Sequence, residues 1–401
     1  MKLLHTSDWH LGQMLYNYDR SAEQQAFLEQ LADIVATERP DLMVVSGDVY
    51  HQSAPSAAVQ RMYIEGMLKV HEACPEMEVV VTAGNHDSSA KLEVDGSLWR
   101  HFRVHVVGNL ERTGEAVNLE KHIIEVRAVD GQLSGYVVAV PHVYPQNFPA
   151  LEADTPREER QARFFQALLD KVKERNKEAL PVVLMAHLAV GGAEMPGRDE
   201  ASAGGMDYVP LQDLGEGYDY LALGHIHCPQ DMPGSGGRAR YAGSPLPTSF
   251  DEQYPHSVSI VELEKGLPPC VHPVEIFNPL PCLTLPGKEP VPFEEALQAL
   301  ADFLPAQPAY LRLNVLLDNA YLAPDCNERA FEAARGKACK YCYIKVNRPP
   351  KTAEDGGRSL SIQEMQEISP LEIARQYYLA TEGQEMDEEL CRLLQEAIEK
   401  K

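Results

Sequence analysis

Positive charge is scarce in this chain: 36 Lys and Arg stand against 60 Asp and Glu among 401 residues, a net charge of -24. That deficit excludes a protein that coats nucleic acid through its general surface. It leaves room for a local cationic site, because a bound metal adds charge that residue counting misses. Long apolar runs are also missing. No stretch approaches the roughly 18 residues of a membrane-spanning helix, and Met1-Lys2 leads into a short strand pattern rather than the apolar segment of an export signal. The expectation is a cytoplasmic protein with no membrane contact. The eight cysteines are scattered, so they read as reduced thiols. Cys339-x-x-Cys342 has no second pair to complete a zinc site and reads as two ordinary strand residues.

What is present is a repeated design. Five apolar runs each end in a side chain able to ligate metal: Leu3–His5 before Asp8 and His10, Leu42–Val45 before Gly47-Asp48, Val79–Thr82 before Gly84-Asn85-His86-Asp87, Val182–Met185 before His187, and Tyr220–Leu223 before Gly224-His225-Ile226-His227. A lone Asp-x-His or Gly-Asp arises by chance as a turn. Five such endings in one chain point to strands delivering chemistry at their C-terminal ends, where open α/β sheets place their sites.

Helical patterns separate the first three runs. Ser21 and Gln24 read as a capping box ahead of a helix with Phe27, Leu28, Leu31, Ile34 and Val35 on one face. A second helix carries Met62, Met67 and Val70. Short strands of a second sheet are expected over 104–107, 123–129 and 136–140, and a charged helix over 156–178. The breaker-rich loop 191–206 is either a substrate-facing lid or a surface loop. Prolines 279, 281, 286, 290 and 292 mark a boundary, after which helix (294–304), strand (310–317), helix (324–335) and strand (339–346) make a small α+β unit. The last stretch is helical, with Leu390, Leu393, Leu394 and Ile398 along an apolar stripe that needs a partner to bury it. The expected divisions are therefore 1–277, 278–346 and 347–401.

The strand-end donors are Asp8, His10, Asp48, Asn85, His187, His225 and His227. Seven are too many for one tetrahedral ion. With one bridging carboxylate, for which Asp48 is the natural candidate, they make two sites of four. Nitrogen and oxygen donors without thiolate suit manganese, iron or zinc. Two divalent ions against two carboxylates leave a site that attracts an anion, and a paired-metal site clamps a phosphoryl oxygen for in-line displacement. His86 is left as a proton donor, with Asp87 expected to steady its imidazole and His51 as a second group facing substrate. Tyr16, Asn17 and Arg20, just past the first motif, are candidate contacts to a phosphate backbone; a solvated turn is the other reading.

The ordered set Asp8-x-His10, Gly47-Asp48, Gly84-Asn85-His86-Asp87, His187 and Gly224-His225-x-His227 resembles the calcineurin-like metallophosphoesterase superfamily. Thr6-Ser7-Asp8-Trp9-His10-Leu11-Gly12 and the stretch from Tyr241 to Glu252 are similar, within it, to the SbcD family of nuclease subunits. The resemblance implies a four-layer α/β/β/α sandwich over the first 277 residues, a dinuclear manganese site and a DNA-capping α+β unit. It assigns one metal to Asp8, His10, Asp48 and His227 and the other to Asp48, Asn85, His187 and His225, with His86 and His51 assisting turnover. It implies an SbcC-type coiled-coil ATPase bound by the closing helices, double-stranded and hairpin DNA as substrate, a homodimer within a heterotetramer, a place on the nucleoid, and a role in DNA repair. Two other readings compete with a nuclease: a nucleotide or small-molecule phosphodiesterase on the same fold, and a non-catalytic scaffold. The complete donor set speaks against the scaffold.

Overall fold

Val79-Val80-Val81 and the other short β-branched runs are buried on both faces, the pattern of parallel strands covered by helices. The computed structural model describes residues 1–113, 116–128, 131–152, 154–196, 208–317 and 322–348, with ten positions between 371 and 395. Two six-stranded sheets stack face to face. In the first, Lys2–Thr6, Leu42–Ser46, Glu78–Thr82 and Val104–Val107 run parallel, and Ser257–Glu262 and Cys270–Glu275 extend it antiparallel beyond Lys2–Thr6. In the second, Leu133–Ala139, Val182–His187, Tyr220–Gly224 and Ala239–Tyr241 are parallel, with Ile123–Arg127 and Gln230–Asp231 at its edges. Val104–Val107, expected in the second sheet, is the edge of the first, paired with Glu78–Thr82.

Three apolar layers hold the sandwich. Helices Ser21–Glu38 and Ala57–Ala73 bury Phe27, Leu31, Met67 and Val70 against the outer face of the first sheet. Helix Arg160–Arg175 buries Phe164, Phe165, Leu168 and Leu169 against the second. Between the sheets lie Leu3, Val44, Val80, Val137, Val183 and Ala222. This is the expected α/β/β/α order.

His5 is fully buried in that middle layer, its Nδ1 2.9 Å from the Tyr220 hydroxyl and its Nε2 3.4 Å from Ser46 Oγ. Burial, aided by Arg240 and opposed by a hydrogen bond to the Leu223 backbone, lowers its pKa to about 3. The unfolded chain, with an ordinary value near 6.5, takes up this proton first. Stability is therefore whole above about pH 6.5 and falls by about 1.4 kcal/mol per unit below it until about pH 3. Urea unfolding at pH 7, 6 and 5 is expected to show a shallower pH slope for His5→Phe than for the parent. An identical slope would remove His5 from the account.

Cys282–Leu285, Tyr310–Leu316 and Lys340–Asn347 form a parallel three-stranded sheet with helices Phe293–Asp302 and Cys326–Ala334 on one face. The Cys282–Leu285 strand lies inside the proline-rich stretch read as a boundary. Cys342 lies in the last of these strands, and Cys339, expected in it as well, directly precedes it. The sheet's other side packs on Leu15, Tyr18 and Phe250, and Tyr310 donates 2.7 Å to Glu23 of the first helix. Met1–Asn347 accordingly forms one unit and Arg348–Lys401 another. In the latter, Leu390 and Leu394 are half-buried helical residues; Leu393 and Ile398 lie outside the described residues, as do 197–207 of the loop considered as a lid. No described helix is long and apolar enough to cross a membrane.

Candidate metal centre

Because parallel strands end on the same side, folding gathers all seven donors at one rim of the sandwich. Asp48 Oδ2 lies 3.7 Å from His10 Nε2 and 3.4 Å from His187 Nε2, between the two donor groups. On one side, His10 Nε2 and His227 Nε2 face each other at 3.1 Å, and Asp8 completes a cluster with them. On the other, Asn85 Oδ1 is 3.0 Å from both His187 Nε2 and His225 Nδ1. These imidazole, carboxylate and carboxamide donors suit divalent cations, with Asp48 placed between the two groups.

The backbone is bent to achieve this. Asp8, His10, Asp48 and His225 all take positive φ (53°, 46°, 54° and 100°), a strain of about 1–3 kcal/mol each that non-glycine residues accept where the surroundings impose it. Close approach does the rest. A Cβ on Gly84 would meet Asp48 Oδ1 at 2.1 Å, and one on Gly224 would meet the Ser46 carbonyl at 1.9 Å. Any larger residue at either place would push the sheets' ends apart.

Burial and neighbouring charges shift these donors in different directions. Burial raises Asp8, partly offset by His187 and His227. Burial also works against ionised Asp48, but His187 and His10 beside it more than compensate and hold it low. His187 is driven down by burial and up by Asp48 and Asp8, ending at about 9. Burial and then His227 lower His10 well below its ordinary value, leaving the neutral imidazole a metal requires.

His86 lies beside these donors, its ring edge-on to His10 with centroids 4.9 Å apart, and with His10 and His51 it makes a third group able to hold an ion. Its backbone N–H donates 2.9 Å to Asp48 Oδ1, and its Nδ1 donates 2.9 Å to the His51 carbonyl, so Nε2 is the ring nitrogen outside that bond. His51 stacks on the His86 ring at 5.5 Å, and both line a cavity of about 340 Å³ with His10, Asp48, Asn85 and His227. Asp87 does not steady His86. Its carboxylate accepts from the backbone N–H groups of Val49, Tyr50 and Gly84 and so locks the 84–87 turn to the Asp48 turn. Burial, with Asp48 nearby, raises it to about 6.

Two further sequence expectations change. Gln24 does not cap a helix: it accepts from Gly12 N–H at 2.9 Å and donates to the His10 carbonyl at 3.2 Å, bracing the first metal loop, while Asp19 takes the Ser21 N–H. Arg20 cannot meet a phosphate backbone, since it is only 1% exposed and donates to Gln13 Oε1 and the Pro247 carbonyl. Tyr16 is 44% exposed and stacks on Tyr343 at 4.5 Å; Asn17 follows it with φ 67°.

Sequence reading missed Glu252, 25 positions from the histidine it serves. Its Oε1 lies 3.0 Å from His227 Nδ1, and Thr248 donates to it through both its backbone N–H and its hydroxyl. Burial opposes ionisation, yet His227 and Thr248 hold Glu252 at about 2. A carboxylate on Nδ1 presents Nε2 to a metal and raises its basicity. The neighbouring Asp251 pairs with Arg312 at 2.6 Å and Lys345 at 3.4 Å, so the three-stranded sheet grips the same turn. Glu252→Gln is expected to weaken manganese binding at the His227 side about 10–100-fold in calorimetric titration. Unchanged affinity would show that Glu252 merely closes its loop.

The family model for calcineurin-like phosphoesterases matches residues 1–229. A protein of Rhodobacter capsulatus, described as the SbcD subunit of the SbcCD nuclease, is 36% identical over 308 residues, 75% of each chain. The Escherichia coli K12 protein of the same description is 28% identical over 408 residues, 98% of this chain and 96% of that one. The Bacillus subtilis 168 protein so described is 29% identical over 66% of this chain and 67% of its own.

Proposed function

This chain belongs to the calcineurin-like phosphoesterase family, among the SbcD subunits of SbcCD nucleases, and we propose that its strand-end donors hold two manganese ions for cutting DNA at double-strand ends and hairpins. It is a metal-dependent nuclease subunit that works with SbcC. The observation that carries the two-ion reading is Asp48 Oδ2, set between His10 and His187 with a complete donor group on either side. When bound, such a pair polarises phosphoryl oxygens and makes a nucleophile of water at neutral pH. The protein's own part is to seat the phosphodiester in the cavity of about 340 Å³ and to present His86 Nε2 to the leaving oxygen. His51 holds His86 through its carbonyl and lines the same wall.

A self-contained small-ester phosphodiesterase accounts less well for the chain, because likeness to the Escherichia coli protein runs over 98% of it, well past the phosphoesterase region. In this reading residues 278–346 cap the DNA, and the helices of 347–401 bind the coiled-coil base of SbcC within a heterotetramer holding two nuclease subunits, at the nucleoid in the cytoplasm. The test is purified protein, with and without manganese, on end-labelled duplex and hairpin DNA beside a chromogenic phosphodiester. Cleavage of the small ester alone, even with the ATPase added, would refute the DNA assignment. Removing 370–401 is expected to abolish co-purification with the ATPase while small-ester hydrolysis continues, and retained co-purification would refute the partner assignment.

A further inference from the structure

The row of strand ends continues past the metal ligands. Beyond Glu78–Thr82 in the first sheet comes parallel Val104–Val107, and beyond Val182–His187 in the second comes parallel Leu133–Ala139. Where these outer strands end lies a second cavity, of about 310 Å³, which shares Asn85 with the metal pocket. A molecule spanning both would pass over Asn85.

The chemistry of the two cavities differs. Imidazoles and a carboxylate line the first; the carboxamides of Asn109 and Asn147, the Tyr144 ring, His142 and Ser89 line the second. Its single lining carboxylate, Asp87, is committed to three backbone N–H groups. Glu93, which carries Asn109 on its carboxylate, is neutralised by Lys121 at 2.7 Å. The cavity is thus lined by uncharged polar groups and an aromatic face, which suits a neutral planar heterocycle and not a second anion.

Its aromatic wall is registered to the metal site. Tyr144 is 54% exposed and packs edge-on against His142, with centroids 4.9 Å apart at 82°. His142 Nδ1 donates 3.1 Å to the carbonyl of ligand His187, and its ring lies nearly parallel to ligand His225, 6.5 Å away. A ring stacked on Tyr144 is therefore held at a set distance from any phosphate at the metals.

We propose that this cavity binds the nucleobase next to the scissile phosphodiester after it has left the duplex stack, with Tyr144 as its stacking face and the polar lining that includes Ser89 along its edge. The inference rests on the nuclease reading and refines it. Bases in hairpin loops and at frayed ends cost least to unstack, so such a pocket selects the substrates proposed above. It also explains why a half-exposed tyrosine is anchored to two metal ligands.

The probes are thymidine and deoxyadenosine, nucleosides without phosphate, titrated into the full-length protein with manganese and followed by ligand-observed NMR, and a duplex carrying 2-aminopurine at its terminal position. The parent is expected to bind both nucleosides and to brighten the 2-aminopurine on binding. Tyr144→Ala should weaken nucleoside binding about tenfold and lose the fluorescence change, and Tyr144→Phe should keep both. Inorganic phosphate should not displace the nucleosides. Absence of nucleoside binding in the parent, or equal binding in Tyr144→Ala, would overturn the proposal. A parent that binds nucleosides through Tyr144 yet degrades no DNA would instead overturn the nuclease reading and leave a nucleoside site in place.

Discussion

His86→Ser is expected to lower kcat on duplex DNA by about 10²–10⁴-fold, the usual contribution of a positioned proton donor, while both ions still bind. The geometry separates this side chain from the ligand set. Its Nδ1 is spent on the His51 carbonyl and its backbone N–H on Asp48, whereas Asn85, one residue earlier, reaches His187 and His225. The measurement pairs single-turnover cleavage with manganese stoichiometry by calorimetry. His10, His51 and His86 do lie close enough to surround an ion, so loss of one equivalent of metal in the variant would make His86 a ligand and refute the proton role.

Asp48→Asn is expected to do more, because Asp48 sits between both donor groups. An amide keeps one neutral oxygen where the carboxylate has two charged ones, so it cannot both face two cations from between His10 and His187 and accept the His86 N–H, and the paired site should be lost. Metal catalysis supplies several kcal/mol of charge stabilisation, so activity on DNA and on a small diester should fall together by about 10³-fold or more. Calorimetry should find at most one tight manganese site. Full stoichiometry with unchanged turnover would exclude Asp48 as the bridge. The variant also removes the negative charge between His10 and His187, and its one oxygen competes with the His86 N–H, so the 84–87 turn should loosen, seen as faster hydrogen exchange there.

Much of this was legible in the chain. Asp48, Asn85, His187 and His225 each follow a short apolar run, and a run of that length bounded by glycine reads as a parallel strand ending at a site. Local pattern misled where a side chain reaches out of its own segment. Ser21-x-x-Gln24 has the spacing of a cap, yet Gln24 turns to the loop after the first strand, where it accepts from Gly12 and joins the Gln13 N–H on the His10 carbonyl. Arg20 reads as a surface cation, yet the 244–252 turn and Gln13 close over it. Asp87 adjoins His86 in the chain but points back to the amides of Val49 and Tyr50.

The main strand and helix identities and the five strand-end donor groups follow from neighbours in the sequence, since period, glycine and donor type are local properties. What only the folded chain decided are the contacts between distant segments: Asp48 between His10 and His187, Glu252 on His227, and the second cavity where Tyr144 meets the turn of Asn85. Those depend on how two twisted sheets stack and on which loops then touch, and stacking is set by the summed packing of the middle apolar layer, which no short stretch encodes.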